Sequence, residues 1–434
     1  MSSADTIFAL ATPPGKSGVA VFRLSGTGVL NSLKPLSQAI KDQPRLAQLV
    51  TLRQSDSSQV IDQCLVTYFP APNSFTGEEV VEIACHGSVA VLDELERQLS
   101  KQPGLRHAER GEFARRAFLN GKMNLLEVEG LADLIDAETP SQLAVARSQA
   151  WGNSGEQVQA WRSLIIRLQA HAEAVLDFSE DLDDDLEAQV RDSARGLAGQ
   201  IAEVLEQSQQ AARVRSGFKV VLTGPPNAGK SSLLNALVNE DLALVSPIPG
   251  TTRDSVRARV NLEGLSVEFI DTAGLRESED TIEQIGVSRA RDLVAQADLR
   301  LEVRSPSQDF EATESQGLTN PSLKVRTHAD QQMRDEPDVH WVSNKTQQGT
   351  AELLTAVVQS LSRVEVEGLA FARERQIACA RNAGVELELA ADAPSLDLVG
   401  EHLRLAATHI GRLTGQIDVE DVLDDLFSGF CIGK

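Results

Sequence analysis

A chain of 434 residues, 41% of them hydrophobic and 24% charged, has the composition of a globular protein and suits about two to four domains with sizeable cores. Its formal net charge of −22 excludes a strong autonomous grip on nucleic acid or anionic membrane, since binding to phosphates is driven by Lys and Arg, so any RNA substrate is expected to be held by a partner. Cys64, Cys85, Cys379 and Cys431 show no C-x-x-C spacing, no apolar run approaches the roughly 20 residues of a membrane span, and no basic-then-apolar leader opens the chain, which together point to a reducing cytosol and no targeting signal.

In chain order, two β-like runs, Thr6 to Ala11 and Val19 to Leu24, flank the turn Pro13-Pro14-Gly15. Two more, Cys64 to Phe69 and Glu79 to Ala84, flank Pro70-Ala71-Pro72-Asn73-Ser74, and a helix follows near Val89 to Leu99. These elements predict an α+β domain over residues 1–118, in which Arg23, Glu82 and His86 read as ordinary surface groups. From Asn120 the period becomes helical, as in Trp161, Leu164, Ile165, Leu168, Ala172, Val175 and Leu176 at i, i+3, i+4 and i+7 spacing. The acidic run Asp177 to Asp185 lacks the glycine and terminal Glu spacing of a calcium loop and reads as a solvated helix end.

A second helical block closes the chain with Val419, Val422, Leu423, Leu426 and Phe427. Two helical segments, 119–214 and 364–434, thus bracket a different kind of sequence over 215–363. The expected architecture is multidomain α/β plus α, a helical domain interrupted by an inserted nucleotide domain.

The insert opens with the apolar run Val220-Val221-Leu222, then Gly224-Pro225-Pro226-Asn227-Ala228-Gly229-Lys230-Ser231, then Leu233-Leu234-Asn235-Ala236-Leu237. This is the strand, phosphate loop and helix of G-x-x-x-x-G-K-[ST], in which successive backbone N–H groups wrap a phosphate at a helix N-terminus. Lys230 is placed for the terminal phosphates and Ser231 for magnesium. Gly250-Thr251-Thr252-Arg253-Asp254 precedes the β-like run Val256 to Leu262, with Thr252 placed to complete the magnesium shell. Asp271-Thr272-Ala273-Gly274 ends the apolar run Val267 to Ile270, where a carboxylate can hold magnesium through water and the Gly274 amide can sense a γ-phosphate. In this order the three segments spell a switch GTPase on a mostly parallel sheet flanked by helices.

The base-reading segment departs from the pattern: Thr327-His328-Ala329-Asp330 stands where Asn-Lys-x-Asp is expected. Asp330 can still accept the paired N–H groups of guanine, and Ser343-Asn344-Lys345 is the expected final base contact. Losing the Asn amide weakens affinity by about 0.5–1.5 kcal/mol while guanine preference survives. The run Leu299 to Arg304, with its two arginines, is less apolar than a central strand should be and is expected at an edge or partly exposed.

Over essentially its whole length the chain resembles the MnmE (TrmE) family of tRNA-modification GTPases. The resemblance is carried by Ala11-Thr12-Pro13-Pro14-Gly15 with Arg23, Pro72 to Glu78, His86-Gly87, Arg116 to Lys122, Ala132 to Ala137, the phosphate loop, Gly250 to Asp254, Asp271 to Arg276, and the tail Phe430-Cys431-Ile432-Gly433-Lys434. Thr327-His328, the charged strand near Arg300, and Asn344, where the family usually has Ala, depart from it.

The resemblance implies a cytoplasmic homodimer, without membrane attachment, that works with an FAD-dependent partner, MnmG (GidA), to add an aminomethyl-type (carboxymethylaminomethyl) group to C5 of the wobble uridine of certain tRNAs. It further implies that Arg23, Glu82, Lys122 and Lys434 surround a 5-formyl-tetrahydrofolate that supplies the one-carbon unit, that residues 1–118 also dimerise, and that Cys431 has a functional role. The nucleotide site it implies comprises Asn227, Ala228, Gly229, Lys230, Ser231 and Ser232, then Ser246, Pro247, Ile248, Pro249, Gly250, Thr251 and Thr252, then Asp271, Thr272, Ala273 and Gly274, with Asp330, Ser343, Asn344 and Lys345 at the base.

Leu275 stands where a Ras-like enzyme places a water-orienting Gln. The resemblance casts Glu283 as the catalytic carboxylate, acting through a bridging water. It also implies a potassium ion held by Asn227, Ser246, Ile248 and Thr251 as two nucleotide domains meet, supplying the neutralising charge that no arginine finger provides. A GTP-regulated ribosome-assembly factor of the Era kind is the alternative, and it would be expected to carry a basic RNA-binding module that this acidic chain lacks.

Overall fold

The computed structural model describes residues 5–152, 154–177, 184–238, 257–272, 292–310, 320–334, 336–361 and 369–417, and in the tail residues 423, 426, 427, 429, 430, 432 and 433. It divides into two compact units, one made of Met1–Ala132, Gly155–Ser163 and Ala407–Lys434, the other of Asp133–Ser154 and Leu164–Ala406.

The first unit is built on a six-stranded sheet: β1 (Thr6–Leu10), β2 (Ser17–Ser25), β3 (Gln48–Arg53), β4 (Val60–Phe69), β5 (Val80–Gly87) and β6 (Leu105–His107), in the order β3-β4-β5-β2-β1-β6. All its pairings are antiparallel except β1 with β6. Alternation puts Ala20, Phe22 and Leu24 of β2 and Val81 and Ile83 of β5 into one apolar core with Leu92, Leu95 and Leu99 of α2 (Val89–Ser100). Arg23 and Glu82, on the other face, are register partners across β2 and β5.

A smaller core joins Ala114 of α3 (Glu112–Leu119) and Leu125 and Val128 of α4 (Leu125–Asp136) to Leu423, Phe427 and Phe430 of the tail. The tail continues to the sheet: Ile432 bridges Arg110, and Gly433, at φ +100°, lies so close to β1 that a Cβ there would be 2.4 Å from the Leu10 carbonyl oxygen.

The second unit holds a six-stranded sheet of β7 (Phe218–Thr223), β8 (Arg257–Leu262), β9 (Leu265–Asp271), β10 (Leu299–Arg304), β11 (Ser322–Arg326) and β12 (Val339–Trp341), ordered β12-β11-β10-β7-β9-β8 and parallel except for β8 against β9. The two helical segments that bracket the phosphate loop in sequence pack on each other here. In α7 (Asp184–Ser216), Arg191 donates to the Ala393 carbonyl at 2.6 Å, just past the end of α10 (Glu374–Asp392), and the Ser208 hydroxyl accepts from the Phe371 N–H at 2.8 Å. Of the expected apolar stripe of α6 (Ser154–Asp177), Trp161, Ile165, Leu168 and Ala172 are buried, whereas Leu176 is exposed near the helix end.

Asp133 joins the elements that flank the nucleotide sheet. Its carboxylate accepts from Arg215, at the end of α7, at 2.8 Å, and from Arg373, just before α10, at 2.7 Å.

One expectation fails. The run Leu299–Arg304 is neither at an edge nor exposed: β10 lies inside the sheet between β7 and β11, with Arg300 and Arg304 4% and 5% exposed. The polar heads are accommodated locally. Arg304 donates to the Asp309 carbonyl at 3.2 Å, Arg300 approaches Glu302 at 3.5 Å, and the guanidiniums of Arg304 and Arg326 stand 5.9 and 4.5 Å from the ring of Phe310. For Arg304, carbonyls and an aromatic face replace the water it gives up, whereas Arg300 relies on the Glu302 carboxylate and the Asn320 carbonyl and leaves its Nε without a partner.

Candidate functional site

At the C-terminal end of β7 the chain turns through Gly224 and enters α8 (Lys230–Leu237). Gly224 is required there: its φ is +145°, and a Cβ would sit 2.2 Å from the Val303 carbonyl oxygen of the neighbouring strand. Asn227 is exposed at φ +59°, whereas Ala228 is buried. Lys230 is 5% exposed and donates through Nζ to the Gly224 and Pro225 carbonyls, both at 2.9 Å, so its ammonium is held over the loop the phosphates would occupy.

The Ser231 hydroxyl donates to Asp271 Oδ2 at 2.5 Å, and the carboxylate is almost wholly buried. A hydroxyl and a carboxylate oxygen so close together form the hard-oxygen donor set that magnesium takes alongside substrate phosphates. Thr272 donates to the Leu222 carbonyl at 2.9 Å, which fixes the end of β9 against β7.

The base-reading segments converge on the same loop. Val342 donates its N–H to the Arg326 carbonyl at 2.8 Å and Ala329 donates to the Val342 carbonyl at 3.0 Å, holding 327–330 against 343–345. Asp330 is exposed, and the Ser343 hydroxyl donates to its Oδ1 at 2.8 Å; that hydrogen bond holds the carboxyl below the usual carboxylate range, ionised and aimed. Thr327, a departure in the sequence, has a structural role the sequence does not signal. It is fully buried, and its Oγ1 donates to the Ala228 carbonyl at 2.9 Å, tethering the base-reading segment to the phosphate loop. Asn344 Nδ2 reaches the next carbonyl, that of Gly229, at 3.5 Å.

The structure therefore brings together Asn227 to Ser232, Asp271, Thr272, Asp330, Ser343, Asn344 and Lys345. Ser246, Pro247, Ile248, Pro249, Gly250, Thr251 and Thr252, with Ala273, Gly274 and Glu283, lie outside the described residues, as do Cys431 and Lys434.

In the first unit, Arg23 pairs with Glu82 at 2.9 Å, and its guanidinium lies 5.2 Å from the ring of Phe75 and 5.9 Å from that of Phe113. Both charged side chains are half-buried rather than freely solvated, so the surface reading fails for this pair. It holds for His86, whose side chain is 71% exposed and meets Asp62 at 2.8 Å. Gly433 approaches Leu10, one residue from Ala9, the register partner of Arg23, so the tail reaches β1, the strand next to the one that carries the arginine. Lys122 lies by the loop before β5, where its Cγ would be 3.1 Å from a Cβ at Gly77.

Residues 6–122 match the family model described as the GTP-binding protein TrmE N-terminus, and residues 125–431 match that of the MnmE helical domain. A tRNA modification GTPase MnmE of Sinorhizobium medicae is 41% identical over 443 residues, covering all of both chains, and one of Maricaulis maris is 44% identical over 442 residues, covering 99% of each. Among solved structures, the G domain of the T. maritima FeoB iron transporter covers 33% of this chain and 98% of its own at 25% identity, with a TM-score of 0.26.

Proposed function

The chain belongs to the MnmE family of tRNA modification GTPases, and on that premise we propose that it hydrolyses GTP at the Gly224–Ser231 loop to drive addition of an aminomethyl-type group to C5 of the wobble uridine, in the cytoplasm, as a homodimer acting with MnmG. The observation that carries the nucleotide reading is the Ser231–Asp271 contact at the start of α8, with the buried Lys230 beside it and Asp330 aimed by Ser343. Lys230 binds the terminal phosphates, Ser231 and Asp271 hold the hydrated magnesium, and Asp330 accepts from guanine. Magnesium and potassium, when bound, supply the charge that offsets the build-up on the phosphates. Asn227, with its side chain exposed in the loop, is the described member of the proposed potassium set; Ser246, Ile248 and Thr251 complete it, and Glu283 orients the attacking water.

For the one-carbon unit, the half-buried Arg23 and Glu82 offer complementary chemistry to a 5-formyl-tetrahydrofolate. A guanidinium suits its glutamate carboxylates, a carboxylate suits the donors of its pterin ring, and the partly exposed Phe75 offers an apolar face nearby. Lys122 and Lys434 add positive charge to that site, and the net charge of −22 fits a division of labour in which MnmG holds most of the tRNA.

The test is threefold. Wobble uridines from cells lacking this chain, analysed by mass spectrometry, should lose the C5 group. Hydrolysis should be faster in potassium than in sodium, with the difference abolished by Asn227→Ala, and Glu283→Ala should lose turnover while keeping nucleotide. Arg23→Ala and deletion of Lys434 should each weaken folate binding in calorimetry and spare GTP. Unchanged wobble uridines would refute the modification reading, equal rates in the two salts would remove potassium, and unchanged folate binding in both variants would refute that placement.

A further inference from the structure

We infer that Asn344 supplies the base-facing amide that position 327 lacks, donating from Nδ2 to N7 of guanine. The inference rests on the guanine-nucleotide reading above and deepens it. Two departures stand on adjacent segments: a hydroxyl at 327, where a GTPase is expected to carry an amide, and an amide at 344, where the family usually has a methyl group. The fold brings both to consecutive carbonyls of the phosphate loop, Thr327 to Ala228 at 2.9 Å and Asn344 to Gly229 at 3.5 Å.

Donor capacity separates the two. Thr327 has one hydroxyl proton, committed at good length to Ala228, and it is fully buried, so it has nothing to offer a base. Asn344 has two amide protons. One faces Gly229 at the outer limit of hydrogen-bond length, and no second acceptor for the amide stands among the described residues, whereas its Oδ1, an acceptor, is buried and takes no part in the contact. The side chain thus stands beside the nucleotide loop with a donor to spare, which an acceptor on the base can take up.

The chemistry of the base selects the role. Asp330 offers only acceptors, which suit the N–H groups of guanine, whereas N7 is an acceptor and needs a donor. Because adenine also carries N7, Asn344 adds affinity while Asp330 retains the choice of base.

The test titrates magnesium–GDP, magnesium–ADP and magnesium–7-deaza-GDP, in which N7 is replaced by C–H, into the full-length parent, Asn344→Ala and the shape-preserving Asn344→Leu. Both substitutions should weaken GDP by about 3- to 10-fold, the range of a single neutral hydrogen bond. The parent should bind 7-deaza-GDP more weakly than GDP by a similar factor, and the substitutions should add little further loss for the analogue. Equal GDP affinity in parent and both variants, or equal affinity of the parent for GDP and 7-deaza-GDP, overturns the inference and leaves the guanine reading standing. A parent that binds GDP no more tightly than ADP removes both.

Discussion

The tether from Thr327 to the phosphate loop can be cut with little change of shape by Thr327→Val. The bond is 2.9 Å long and fully buried, and the same hydroxyl lies 3.4 Å from the Arg304 carbonyl, too far to compete for its single proton. Valine fills the same volume but leaves the carbonyl of the buried Ala228 facing a methyl group. An unsatisfied buried acceptor costs about 1–3 kcal/mol, more than the net value of the bond itself. That cost falls on the closed arrangement of the loop, so local opening at residues 224–231 should become about 5- to 150-fold more frequent. Hydrogen exchange of a peptide covering that loop, in magnesium without nucleotide, reads the opening directly, and calorimetry with GDP reads the lost preorganisation. Thr327→Ser, which keeps the hydroxyl, should retain most of the protection. Parental exchange and parental GDP affinity in Thr327→Val would refute the tether.

Gly224→Ala should abolish magnesium–GDP binding in calorimetry, because the added Cβ, 2.2 Å from the Val303 carbonyl at φ +145°, can be relieved only by parting β7 from β10. Asp133→Ala removes a carboxylate shared by Arg215 and Arg373; the full buried-pair cost of about 3–5 kcal/mol is moderated by the partial exposure of both arginines, so a loss of about 2 kcal/mol is expected at the urea midpoint, less in Asp133→Asn. Burial alone would raise the pKa of Glu112, but hydrogen bonds from Arg106, the Glu109 N–H and Arg116 outweigh it and hold the carboxyl below its usual value of about 4.5. A depressed folded pKa stabilises above the unfolded value and loses that contribution as pH falls through the folded one, so urea midpoints of the first unit should drop below about pH 4.5, with a flatter acid limb in Glu112→Gln.

The nucleotide site was legible where chemistry is written into consecutive residues. The phosphate loop and Asp271 announce themselves by residue type next to an apolar run, Asp330 is the one match to Asn-Lys-x-Asp, and the parallel sheet follows from the first of these contexts. Leu299–Arg304 was misread because side-chain type stands in for burial in such a reading, and nothing local shows that loop carbonyls and Phe310 would receive the arginine heads. Thr327 was legible only as a missing amide, since its bond to Ala228 spans 99 residues. The Arg23–Glu82 pair, 59 residues apart, depends on the register of β2 against β5, which no pattern along the chain specifies.

The tail packed on Leu10, Ala114 and Leu125 also sets an order of events on the ribosome. Synthesis is vectorial, so the strands of the first sheet emerge early, while Leu423, Phe427 and Phe430 emerge only after Leu164–Ala406 has been made. At about 5–20 residues per second this leaves a delay of roughly ten seconds to a minute. During it the apolar faces of α3 and α4 lack their final cover, which makes them natural footholds for a nascent-chain chaperone. A ribosome-stalled chain ending before Ala407 should therefore be cut by protease within α3 and α4 while the β2–β5 core resists, and release of the completed chain should protect both.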